Sequence, residues 1–115
     1  MIHSTSIKLY VAKLDGEIVG YMAIGKTPRR PNLEREEIVL LYVLKNYQGF
    51  GIGKQFFNFA KDQLQQKNPD YFYVFCNKYN QPALSFYQRM GCKILNIDED
   101  NQDKSIPQTK LIYYY

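Results

Sequence analysis

The chain has 115 residues, 45% of them hydrophobic, with a formal charge of +4 and a pI near 9.0. That is enough sequence for one packed core and too little for two, so a single domain over residues 1–115 is expected. No apolar run nears the roughly 20 residues that cross a bilayer, and MIHSTSIKLY lacks the apolar stretch of a secretory signal, so the reading is a cytoplasmic protein with no membrane partner.

Cys76 and Cys92 are too few for a disulfide scaffold and lack metal-ligand spacing, and the lone His3 stands near the start. No metal site and no histidine-based nucleophile are expected. The lysines are scattered, without a basic run, and the eleven Tyr and seven Phe fall mostly at alternating or helical positions where a core would want them. Base stacking is therefore the weaker reading of the aromatics, and no nucleic-acid partner is expected.

In chain order, IKLYVAKLDGEIVGYMAI reads as a hairpin of residues 7–14 and 17–24 joined by Asp15-Gly16, the dipeptide that suits a turn needing positive φ at both central positions. GKTPRRPNLEREE, with two prolines and mixed charge, reads as an exposed connection. EIVLLYVL, residues 37–44, reads as a strand buried on both faces. Phe56, Phe57, Ala60 and Leu64 then recur at three- and four-residue spacing, which predicts a helix over residues 53–66. YFYVFC, residues 71–76, is the next strand, parallel to the previous one across the helix. In NQPALSFYQRMG, Asn80 is a suitable N-cap, Pro82 fits the first turn and Gly91 fits the C′ position. A strand at 93–97, a polar loop DEDNQDKSIPQ and a closing strand KLIYY complete an α/β chain with a mixed sheet.

The sharpest feature is YQGFGIGKQ, with glycines at 49, 51 and 53 and then Lys54. A glycine in a regular element costs about 0.5–1 kcal/mol relative to alanine, so such a cluster marks left-handed backbone or something approaching it closely. Here it opens a helix at the end of a central strand, where first-turn amides lack partners and the macrodipole is positive. That combination suits a phosphate, with tight helix packing as the structural alternative. A Walker A loop fails at Gln48 and Gln55, and the dinucleotide fingerprint fails at Lys54.

What fits is Gln48-x-x-Gly51-x-Gly53, and here LYVLKNYQGFGIGK resembles the pyrophosphate loop of the GNAT superfamily of acyl-CoA-dependent N-acetyltransferases. Asn80, Ala83, Phe86, Tyr87 and Gly91 are similar to that family's second motif. The resemblance implies a mostly antiparallel mixed sheet with a central splayed parallel strand pair and flanking helices, and acetyl-CoA as cosubstrate. It implies that backbone amides across Gln48, Gly49, Phe50, Gly51, Ile52, Gly53 and Lys54 cradle the pyrophosphate, and that Leu41 and Val43 bind the acetyl carbonyl and pantetheine through the main chain. Asn80 would bond the cofactor, and Tyr87 would approach its sulfur.

The implied chemistry is direct attack of a neutral amine on the thioester, with a proton needed by the leaving thiolate. Tyr87 is the proton-donor candidate, since a phenol with an ordinary pKa of about 10 is protonated at neutral pH; its alternative is aromatic packing. Glu37 is the candidate base, and its alternative is a solvated charge ahead of a strand. Lys45 and Cys92 depart from the family pattern at two minor positions. The chain also begins at what resembles the family's second strand, without the usual first strand and first two helices. The acceptor, a small-molecule or peptide amine, therefore meets a site completed as a homodimer, left open to a large acceptor, or serving CoA binding without turnover.

Overall fold

A computed structural model of the chain describes residues 7–26, 35–97 and 107–115. His3, residues 27–34 of the connection expected across 25–37 and residues 98–106 of the polar loop expected across 98–108 lie outside the described residues. β1 (Lys8–Leu14) and β2 (Glu17–Gly25) form the expected hairpin. Asp15 and Gly16 both take positive φ, 51° and 83°, which the tight turn demands.

β3 (Glu37–Val43) pairs antiparallel with β2, β4 (Tyr71–Asn77) follows, and the sheet order is β1-β2-β3-β4-β6-β5, with β5 at Lys93–Ile97 and β6 at Gln108–Tyr114. α1 (Ile52–Lys67) links β3 to β4, and α2 (Gln81–Arg89) links β4 to β5. β4 and β6 are antiparallel in register along seven residue pairs. β3 and β4, by contrast, are parallel partners only at Glu37↔Tyr73 and Ile38↔Val74 and then part. The mixed sheet with a splayed central pair is therefore present.

One expectation for β3 fails. The strand is not buried on both faces, since Leu40 and Tyr42 are 40% and 46% exposed. A register shift sets Ala23 opposite Leu40 but Ile24 opposite Ile38, so β3 carries one extra residue at that point. The bulge resets the side-chain alternation: Ile38, Leu41 and Val43 all join the helix-side core, while Leu40 and Tyr42 fall on the other face, which no helix of the described residues covers.

The core lies between the sheet and both helices. α1 contributes Phe56, Phe57, Ala60 and Leu64, as its periodicity predicts, and α2 contributes Leu84 and Tyr87. Phe57 is the hub, with ring centroids 5.9 Å from Phe72, 6.4 Å from Phe86, 6.3 Å from Tyr87 and 5.6 Å from Tyr113. Removing a fully buried phenyl ring costs about 3–5 kcal/mol in lost transfer energy and a residual cavity. Phe57→Ala is expected to lose that much in urea unfolding, and well over the loss for Phe59→Ala, whose side chain is 41% exposed. Equal losses at the two positions would contradict the assigned core.

Candidate active site

Beyond β3 the backbone is steered by a small set of contacts. The Leu44 amide donates to the Val19 carbonyl at 2.9 Å. Because the peptide plane holds the preceding carbonyl on the opposite side, the Val43 carbonyl turns away from β2, toward the gap beside β4. Gln48 Nε2 donates to it at 2.9 Å. The Gln48 side chain thus ties the loop back to the strand end, across a 3-10 turn at Lys45–Tyr47.

The three glycines divide into two kinds. Gly49 and Gly51 have φ of 88° and 84°, left-handed backbone that glycine adopts without penalty, and a Cβ on either would meet nothing within 4 Å. Gly53 has no such φ, and a Cβ there would stand 3.3 Å from a ring carbon of Phe86. The first two shape the loop and leave open space over it; the third lets α1 and α2 approach. Gly51 is the N-cap of α1, with no side-chain cap bond and no acidic residue in the first turn. The amides and positive dipole end of α1 are therefore uncompensated by side chains, as an anion site requires.

The gap opens into a groove of about 740 Å³, lined by Leu41, Val43, Gln48, Gly49, Gly51, Gly53, Lys54, Asn80 and Tyr87. Nine sequence-derived positions thus meet in one place, drawn from β3, the loop, α1 and α2. Phe50 and Ile52 do not join them: they line a neighbouring cavity of about 700 Å³ between β1 and α1. Glu37 does not line the groove either. It lies at the end of β3 where the two strands still pair, and its side chain is 1% exposed, so the solvated-charge alternative is excluded.

Asn80 Oδ1 accepts from the Ala83 amide at 3.2 Å, the expected N-cap, so the side-chain amide nitrogen is the polar atom this bond does not use. Tyr87 is 5% exposed. Burial first, and then the nearby Cys76 and Cys92 thiols, push its phenol well above its ordinary range, so it holds its proton at neutral pH. The groove is also lined by Tyr47, Pro82, Ala83, Phe86, Arg89 and Met90. Sequence reasoning missed Arg89 as a groove residue, although its spacing from Pro82 and Phe86 puts all three on one helix face.

Comparison with known proteins bears on what such a groove holds. The model of the acetyltransferase (GNAT) family matches residues 2–92. The chain belongs to the GNAT acetyltransferase family. A Lactobacillus delbrueckii subsp. lactis protein named as an uncharacterized N-acetyltransferase in the pepI 3′ region is 30% identical over 86 residues, covering 71% of this chain and 49% of that one. An N-alpha-acetyltransferase of Sulfurisphaera tokodaii is 26% identical over 96 residues, covering 76% and 58%. This GNAT chain thus spans about half the length of the named relatives it matches. A GNAT family acetyltransferase from Elizabethkingia anophelis, solved with acetyl-CoA bound, superposes with a TM-score of 0.75 at 23% identity, covering 96% of this chain and 77% of that one.

The two thiols beside Tyr87 are themselves informative. Burial pushes Cys76 up to about 11, and burial followed by the neighbouring Cys76 pushes Cys92 up to about 12. Both stay protonated at neutral pH and neither is an activated nucleophile. At pH 8 the folded protein is expected to react with Ellman's reagent at least about tenfold more slowly than a free cysteine, with full reactivity restored in denaturant. Fast labelling of the folded protein would show that one thiol is activated.

Proposed function

We propose that the chain is an acyl-CoA-dependent N-acetyltransferase domain that takes acetyl-CoA in the groove between β3 and β4 and passes the acetyl group to a primary amine. The observation carrying this reading is the conjunction of an uncapped α1 N-terminus, shaped by left-handed Gly49 and Gly51, with a strand gap that leaves one edge of β3 unpaired. Family membership supports it, as do the N-acetyltransferase names of the relatives. Further support comes from solved neighbours carrying CoA or acetyl-CoA.

The residues fit that ligand. Amides from Gly49 to Lys54, with the Lys54 ammonium beside them, suit a pyrophosphate. Leu41 and Val43 suit pantetheine and the thioester carbonyl through main-chain donors; with its carbonyl engaged by Gln48, Val43 retains its amide for this purpose. Bound there, the thioester supplies an acetyl group activated toward amines. The amine nitrogen bonds to the carbonyl carbon, the carbon–sulfur bond breaks, the Tyr87 phenol protonates the departing thiolate and the Glu37 carboxylate takes the ammonium proton. A second reading, CoA binding without turnover, rests on the burial of Glu37, which closes the base from solvent in this structure.

Gly51→Glu puts a carboxylate into the open space over the loop and strains the backbone at φ 84°. The variant is expected to stay folded and lose CoA binding in calorimetry; retained affinity would remove the loop from the site. Glu37→Gln is expected to lower kcat/KM at neutral pH without weakening CoA, and the deficit should shrink as pH approaches the acceptor's pKa and solution supplies neutral amine. Parallel pH profiles would take Glu37 out of the mechanism. Tyr87→Phe is expected to lower kcat about tenfold with an unchanged acetyl-CoA KM, and in the wild type no alkaline decline belongs to Tyr87 below pH ~10.

A further inference from the structure

The loop that opens α1 presents alternate residues to opposite sides. Gly49, Gly51 and Gly53 line the groove beside β3, while Phe50 and Ile52 line the cavity of about 700 Å³ between β1 and α1, and Tyr47 is a wall of both. Phe50 sits between two left-handed glycines, with φ of 88° at Gly49 and 84° at Gly51. Its ring and the amides on either side of it therefore move as one unit.

This cavity is apolar and its rim is uncovered. Phe56 lines it as a buried residue, whereas Leu14 and Phe59 are exposed and Phe50 is 73% exposed. Three large apolar side chains facing water around one concavity mark a ligand site, as single ones scattered over a surface do not. The Tyr10 and Phe59 rings meet edge to face with centroids 4.7 Å apart, and with Tyr47, Phe50 and Phe56 they put five rings on the lining. A flat aromatic body matches that lining. Apart from the tyrosine hydroxyls, the polar lining is Lys13, Asn46 and Gln55, with no carboxylate. Among the described residues none of these three has an ion pair or a side-chain hydrogen bond. One ammonium and two amides suit one carboxylate, which accepts from each of them.

We propose that the cavity between β1 and α1 is a second ligand site, that it takes a small aromatic carboxylate, and that its occupancy favours the loop conformation that receives CoA. The site itself is independent of the acetyl-transfer reading above, and only its effect on CoA rests on that reading. A ligand that covers Phe50 gains apolar contact only while that ring lines the cavity, and in the same conformation Gly49 and Gly51 face the groove. Each ligand therefore tightens the other.

The test titrates 2-naphthoate into the protein by calorimetry, with and without CoA. One-to-one binding is expected, with 2-naphthylmethanol and then 2-naphthylmethylammonium binding progressively more weakly. Lys13→Met should weaken 2-naphthoate about fivefold and leave the alcohol unchanged. Phe59→Ala should weaken both about tenfold, and Phe59→Leu, which removes the ring but keeps apolar bulk, repeats the measurement if the alanine variant folds poorly. Saturating 2-naphthoate should tighten CoA about fivefold, and CoA should tighten 2-naphthoate by the same factor. In Phe50→Ala the ratio of CoA affinities with and without 2-naphthoate should fall to one, whatever that variant's own affinity for CoA. No saturable binding, or binding indifferent to Lys13 and Phe59, overturns the site, and a dimer that takes no 2-naphthoate assigns the cavity to a second copy instead. Displacement of 2-naphthoate by CoA puts the probe in the groove and overturns the proposal, and a CoA affinity unmoved by 2-naphthoate overturns the coupling. If CoA itself fails to bind, the acetyl-transfer reading falls, while the titrations without CoA still decide the cavity.

Discussion

Two adjacent strands that stop pairing after Ile38 and Val74 impose the constraint on which the rest of this molecule depends. Backbone donors and acceptors along an open edge need partners, and each one left without costs about as much as a lost hydrogen bond. β3 and β4 can separate because each is secured on its far side, β3 by β2 and β4 by seven register pairs with β6. At the mouth of the gap Gln48 takes the Val43 carbonyl. On the helix side the gap is backed by Tyr87 and Phe86, whose rings lie 5.4 Å apart and pack on Phe57. The same edge that makes the sheet locally incomplete is the surface a ligand backbone can use.

That division of the sheet also separates Tyr87 from Glu37. Tyr87 belongs to the helix side, where burial favours the neutral phenol and the neighbouring thiols add to the effect. Glu37 belongs to the opposite face, in register with Tyr73. The gap between β3 and β4 begins beside Glu37 and widens toward Tyr87, which lines its groove as Glu37 does not.

Features set by local sequence were readable in advance: Asp15-Gly16 in the turn, the α1 face of Phe56, Phe57, Ala60 and Leu64, Asn80 as a cap, Gly91 with φ of 104° after α2, and the groove positions around Gly51. Features set by register were not. The extra residue in β3 leaves no mark in EIVLLYV, yet it decides which side chains face the helices and why Leu40 and Tyr42 are exposed. The opposite directions of Gly51 and Phe50 follow from loop dihedrals that alternation with glycine permits but does not specify. Glu37 looks solvated in sequence because charged residues precede it, yet it is a paired strand residue between Gly25 and Tyr73 and is 1% exposed.

Burial on the Glu37 face changes steeply from one side of the sheet to the other. Phe75 and Ile112 are 6% and 4% exposed on the β4–β6 side, whereas Leu9, Val11, Tyr21, Leu40 and Tyr42 range from 40% to 66% on the β1–β3 side. Val11, Tyr21 and Tyr42 form one exposed cross-strand row and Leu9 and Leu40 flank the buried Ala23 in another, so among the described residues the open half is an apolar surface that runs up to the strand carrying Glu37. Among the described residues the two halves of this face thus differ in kind, the β1–β3 half presenting apolar side chains to solvent and the β4–β6 half closing over its own.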